Sequence, residues 1–197
     1  MATDQSIREA IESGQVLRVR SAGAIAPGFE LPDESGKDQS LDRLLQSGPL
    51  VLVVIRGSWC PFCRIELREL ERVVGQIVAV GASLVVITPE TMESCRRVVR
   101  RNGLSFSLLS DIEGQLTRDL GLRRAVPPYA RAWLERNGID LHTLNADKSW
   151  ALPIPARFVV GRDRRIVYAE ANADYRRRGE PEEVIPVLER IALDSRL

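Results

Sequence analysis

The most constraining stretch of this chain is Pro49 to Leu67, where PLVLVVI runs through a short connection into WCPFC and then a helical pattern. A continuous β-rich apolar run predicts a strand buried on both faces, which requires layers above and below its sheet. From Cys60 onward the apolar residues Ile65, Leu67, Leu70, Val73, Val74 and Ile77 recur at helical spacing. The first turn of a helix has unpaired N–H groups and the positive end of a dipole, both of which stabilise a thiolate. Pro61 suits the first helical position, since it has no N–H to lose and its φ is preset. A free thiol of pKa about 8.5 is roughly 3% ionised at neutral pH, and lowering it to about 7 makes it half ionised. The two-residue spacing lets Cys63 reach back one turn to Cys60.

The same pattern continues along the chain. Ser83 to Pro89 (SLVVITP) predicts a second buried strand, and ETMESCRRVVRRNG a helix closed by Asn102-Gly103. A third strand–helix passage follows through LSFSLLSD and GQLTRDLGL. VPPYARAWLERNG predicts a helix ending at Gly138, ARFVVGRDRRIVYAE a hairpin turning near Gly161 to Arg164, and EPEEVIPVLERIAL a terminal helix. Before the first strand, Phe29 and Leu31 alternate with polar neighbours, Ser35-Gly36 supplies a turn and a helical turn starts near Leu41. Alternating strands and helices followed by a hairpin predict an α/β, three-layer α/β/α sandwich with a mixed central sheet. Residues 1–25 form an N-terminal extension with a short helix over Thr3–Ser13, and 26–197 one domain.

A length of 197 residues is enough to bury a full core without disulfide staples. The net charge of +1 gives no field for nucleic acid or membranes. No apolar run approaches the ~18 residues that span a bilayer, and the charged start lacks the apolar centre of a secretory signal. Three cysteines do not make a disulfide framework, so a reducing cytoplasm is the expected location. A CxxC there means redox or metal chemistry. A zinc site needs four ligands, and Cys95 with the single His142 stand at no ligand spacing, so no metal and no cofactor is expected.

VLVVIRGSWCPFCRIEL resembles the active-site segment of thioredoxin-fold proteins. ITPETMESCRRVVRRNGLSFSLLSD and FVVGRDRRIVYAE, with NADKSWALPIPARFVV and ADYRRRGEPEE, are similar to the peroxiredoxin-like branch of the alkyl hydroperoxide reductase/thiol-specific antioxidant family over about Ala26 to Leu193. The resemblance implies a thioredoxin-like fold and thiol-based reduction of a peroxide or a disulfide, with recycling by a thioredoxin-like dithiol. Members of this fold often pair, so a homodimer is a further expectation. Two registers compete. In the thioredoxin register Cys60 attacks and Cys63 resolves. In the peroxiredoxin register Cys63 falls on the peroxidatic position and Glu66 on the acidic one, while Cys60 replaces a threonine and Arg56 a proline. The N-terminal sulfur of a CxxC is the one exposed at a helix start, which favours Cys60 as the attacker.

The arginine that peroxiredoxins place before the next strand is replaced by Pro155, where thioredoxins carry a cis-proline. The resemblance therefore implies a cis Pro155 facing the disulfide, with the Ile154 and Ala156 backbone offered to a substrate. Arg157 shares its face by strand alternation. Trp59 is expected to pack over the cysteine loop, limiting water. Arg56 reads either as a replacement for the missing arginine or as a solvated loop charge. Tyr175 to Glu183 (YRRRGEPEE) either folds an arginine toward the site or is a solvated run. Cys95 reads as a small packing residue rather than a resolving cysteine, Trp133 and Trp150 as core or interface, and His142 as incidental.

Overall fold

The computed structural model describes residues 19–194. The helix predicted over Thr3–Ser13 lies outside them. In chain order the elements are β1 (Glu30–Pro32), β2 (Asp38–Ser40), α1 (Leu41–Ser47), β3 (Leu50–Val54), α2 (Pro61–Ala79), β4 (Ser83–Thr88), α3 (Met92–Asn102), β5 (Ser107–Ser110) and α4 (Gln115–Asp119). There follow β6 (Arg123–Ala125), α5 (Pro128–Arg136), α6 (Leu141–Leu144), β7 (Ala151–Pro153), β8 (Ala156–Val160), β9 (Ile166–Ala171) and α7 (Val184–Asp194), the last entered through a 3-10 turn at Pro181–Glu183.

The central sheet has the order β5-β4-β3-β8-β9. Its first three strands are parallel, β8 runs antiparallel to β3, and β9 runs antiparallel to β8. All five residues of β3 are buried because both faces are covered. Val51, Val53 and Ile55 join α2, α3 and α7 through Leu67, Leu70, Val98 and Leu188. Leu50, Leu52 and Val54 join α1 and α4 through Leu41, Leu45, Leu116 and Leu120. That is the predicted three-layer sandwich with a mixed sheet. Each such leucine or valine contributes about 1.5–3 kcal/mol by leaving water, and the two stripes of β3 therefore fix its depth and register together.

Residues 20–26 already belong to this body: the Arg20 N–H donates to Leu120 O, Gly23 to Ile166 O and Ala26 to Arg164 O. Helix α2 buries Cys63, Glu66, Leu67, Leu70, Val73, Val74 and Ile77. Ile65, expected in that stripe, is 47% exposed; the charged Glu66 turns inward in its place, because two arginines wait for it there. Helix α3 is capped by Thr91, which accepts from Ser94 N–H, and ends at left-handed Gly103 as predicted.

The predicted helix α5 belongs to a small outer unit whose ribbon and second helix were not predicted. β6 and β7 form an antiparallel ribbon, and Leu134, Leu141 and Leu152 pack beneath α5 and α6 against Trp59 and Trp150. This ribbon corrects the expectation for Pro155. No peptide bond among the described residues is cis. Pro153 is paired with Arg123, the Ile154 N–H donates to Leu122 O at 3.0 Å, and Ala156 is paired with Val54. The chain thus passes extended from β7 into β8, a path that the ordinarily preferred trans bond follows. The Ile154 and Ala156 backbone is committed to the protein's own sheets.

Candidate active site

Strand β3 delivers the cysteines. Its ladder ends where the Ile55 N–H donates to Ile87 O at 3.0 Å, and the chain then turns through Arg56–Trp59. Gly57 sits at φ +140°, and a Cβ there would lie 2.4 Å from Trp59 Nε1 and 2.7 Å from its Cδ1. Gly57→Ala is therefore expected to displace the indole and cost about 1–3 kcal/mol, read as a lower urea midpoint with altered tryptophan emission. Ser58 is fastened from β4's end: its N–H and hydroxyl donate to Glu90 at 2.6 and 2.9 Å. Glu90 is 1% exposed, and burial pushes its carboxyl up against those hydrogen bonds. The Cys60 N–H then donates to Gly57 O at 3.2 Å. Cys60 stands in extended conformation as the N-cap of α2, with Pro61 at the first helical position.

This placement divides the charge between the two sulfurs. The neighbouring Cys63 thiol, with the Cys63 and Phe62 N–H groups and the Arg56 charge, draws the Cys60 thiol from an ordinary 9.0 down to about 5, against burial. Burial, and then the bond to Cys60, hold Cys63 well above the ordinary thiol range despite Arg178. The arrangement favours Cys60 as the thiolate and Cys63 as the thiol, and the two are not joined in a disulfide.

Neither sulfur is open to solvent, which corrects the exposure expected of Cys60. Cys60 is 1% and Cys63 0% exposed. Aromatic rings and an arginine supply the cover. The Arg56 guanidinium lies 4.1 Å from the Tyr175 ring centroid and 5.3 Å from that of Trp59, and Phe62 meets Tyr175 edge-on at 5.7 Å. Arg56 is thus bound in the site by cation–π contact rather than solvated. Trp59 is half-buried, and its indole N–H has no hydrogen-bond partner.

Beneath the pair lies a buried ionic network. Glu66 accepts from Arg157 Nη2 at 3.0 Å and is paired with Arg178 Nη1. Arg178 Nη2 in turn donates to Cys63 Sγ at 3.1 Å. Arg157 also donates to Glu180 O at 2.8 Å and Gly179 O at 3.2 Å. The YRRRGEPEE run therefore does fold an arginine onto the site. In the sequence, Arg178 and Tyr175 lie in a run with two readings, strand alternation alone places Arg157, and nothing marks Glu90. A "TPE" at a strand end carries no signal for a distant serine.

The remaining candidates stand apart. Pro155 is buried, and the β3–β8 register places it beside Ile55, where the cysteine loop departs. Cys95 is fully buried, and burial with the charges of Glu90 and Glu34 pushes its thiol up to about 12, which leaves it little thiolate. His142 is exposed, with Nδ1 2.8 Å from Lys148 O. Trp133 is 39% exposed, and Trp150 lies under Arg131. Among the described residues no three His, Cys, Asp or Glu side chains gather as a metal site would require.

Comparison with known proteins gives a consistent setting. The model of the AhpC/TSA family matches residues 22–169. A putative peroxiredoxin of Mycobacterium tuberculosis is 28% identical over 104 residues, covering 53% of this chain and 68% of that protein. Peroxiredoxin Bcp of Escherichia coli is 29% identical over 102 residues, 51% of this chain and 64% of that one. The thiol:disulfide interchange protein DsbE of Pseudomonas aeruginosa is 27% identical over 118 residues, 60% and 63% of the two chains. The chain thus spans about two thirds of the length of these relatives. In fold it is similar to the crystal structure of peroxidoxin BcpB from Mycobacterium tuberculosis, with a TM-score of 0.69 at 21% identity over 87% of this chain and 97% of that one.

Proposed function

Because the chain belongs to the AhpC/TSA family, we propose that it is a thiol-dependent peroxidase, reducing hydroperoxides through Cys60 and Cys63 and recycled in the cytoplasm by a thioredoxin-like dithiol. The observation that carries this reading is the placement of Cys60 as the N-cap of α2, with Cys63 one turn on and held by Arg178 Nη2 at 3.1 Å. The thiolate attacks the hydroperoxide, the O–O bond breaks, and the departing alkoxide or hydroxide takes up a proton. Cys60 is left as a sulfenic acid. Cys63 sulfur then attacks Cys60 sulfur, the S–O bond breaks, and the Cys63 proton leaves with the hydroxyl as water. The two thiols have given two electrons to the peroxide and are joined as a disulfide.

Arg56 and Arg178 bring positive charge to either side of the pair, where negative charge develops on oxygen and later on sulfur. They are the local replacement for the arginine that Pro155 displaces. Cys63→Ser should stop the cycle at Cys60 sulfenic acid: one equivalent of peroxide is consumed and turnover with thioredoxin is lost, as stopped-flow and mass spectrometry would register.

The similarity to DsbE supports a second reading, a disulfide reductase without peroxide specificity. It fits the site less well. The Ile154 N–H that could pair with the backbone of a protein disulfide is committed to Leu122 O. Hydroperoxide and insulin disulfides, offered to one preparation with the same dithiol, separate the two. Faster hydroperoxide reduction is expected; preferential insulin reduction would favour the second reading.

A further inference from the structure

The first two turns of α2 look outward as well as inward. While Cys63, Glu66 and Leu67 face the core, Pro61, Arg64, Ile65 and Arg68 are exposed. Among the described residues Arg64 and Arg68 have no ion-pair partner, whereas Arg72 one turn on is held by Glu69 at 2.7 Å. Ile65 between them is 47% exposed. On the segment that meets Cys63 through Arg178, Arg177 is 80% exposed and lies 3.7 Å from Asp174, a carboxylate that Arg176 already holds at 2.9 Å. The whole chain carries only +1, so these guanidinium groups, two on the helix that holds Cys63 and one beside the Arg178 that meets its sulfur, are a local excess of positive charge next to the pair.

Resting on the peroxidase reading and its dithiol recycling, we propose that this face docks the reductant, and that the reductant is an acidic dithiol protein. Its anionic surface meets Arg64, Arg68 and Arg177, and an apolar contact covers Ile65 and Pro61. The Arg56–Tyr175 cover borders the same face and is what the partner displaces. A thiolate of the partner attacks Cys60 Sγ, the Cys60–Cys63 bond breaks, and Cys63 leaves as a thiolate beside Arg178 and takes up a proton. The partner's second thiol loses its proton and displaces Cys60 from the mixed disulfide, so the partner is oxidised by two electrons and both cysteines are restored. Charges at the rim of such a contact act on the rate of encounter and are screened by salt.

The test uses Arg64→Glu/Arg68→Glu in the full chain, oxidised with diamide and, separately, with one equivalent of hydrogen peroxide. Re-reduction is followed with an acidic thioredoxin and with dithiothreitol. The variant's rate with thioredoxin should fall about tenfold at low salt, the gap should close as salt rises, and the dithiothreitol rate should match the parent's. Equal thioredoxin rates for parent and variant would overturn the docking face. So would slower oxidation by an anionic fatty-acid hydroperoxide with thioredoxin unaffected, which would assign the arginines to the oxidising substrate. Failure of hydrogen peroxide to form the disulfide, where diamide does, would instead refute the peroxidase reading while the docking test still runs.

Discussion

Serine in place of Cys60 should abolish hydroperoxide reduction, lowering kcat/KM by at least about 10³-fold, the scale on which removal of an essential nucleophile acts. The low pKa does not by itself explain that dependence. Moving a thiol from 9.0 to about 5 raises its ionised fraction at neutral pH from about 1% to nearly all, a gain of about 100-fold. With a Brønsted slope of about 0.4–0.5, the same four units remove about 40- to 100-fold of intrinsic nucleophilicity. The two effects nearly cancel. What the charge arrangement supplies is a reaction insensitive to pH above about 5, and a Cys60 that departs readily when reductant resolves the mixed disulfide. Acceleration beyond an ordinary thiol must come from Arg56, Arg178 and the N–H groups of the helix start. Retained turnover in Cys60→Ser, measured by peroxide consumption with thioredoxin, would transfer the attacking role to Cys63.

Removal of the Glu66 carboxylate should be the most damaging single change to stability. Glu66 is 7% exposed and lies between Arg157, 2% exposed, and Arg178, 12% exposed. Glu66→Ala leaves the Arg157 guanidinium buried with two carbonyl oxygens and the more distant Glu170, 3.6 Å away. Breaking a buried pair from one side costs about 3–5 kcal/mol, and Glu170 holds the expected loss toward the lower figure. Glu66→Gln keeps an acceptor for one arginine and should cost less. Urea unfolding of the two variants reads this directly; a loss below about 1 kcal/mol in Glu66→Ala would mean that the network is not a structural tie. In the alanine variant Arg178 also loses the carboxylate that aims it, so its contact with Cys63 should loosen and resolution of the sulfenic acid should slow.

The sheet and its main helices were legible in the sequence because their residues carry periodic signals. β3 and β4 are unbroken apolar runs, α2 repeats at helical spacing, and Gly103 ends α3 in the conformation a glycine favours. β6, β7 and α6 were not, being three or four residues long and held by pairing across more than twenty residues, such as Arg123 with Asp147. The trans state of Pro155 follows from that same ribbon and so escaped notice. The cysteines and the helix start were readable locally. The burial of Cys60, the stacking of Arg56 between Trp59 and Tyr175, and the approach of Arg178 to Cys63 depend on a segment 112 to 119 residues further along. Local pattern raised that segment as a possibility and only the fold could place it.

The division of charge between the two sulfurs is tested most directly by trapping the first oxidation product. The reduced protein is mixed with one equivalent of hydrogen peroxide in the presence of dimedone, and the adduct is mapped by peptide mass spectrometry. An adduct on Cys60, with Cys63 and Cys95 unmodified, is the expected result. An adduct formed first on Cys63 would contradict it.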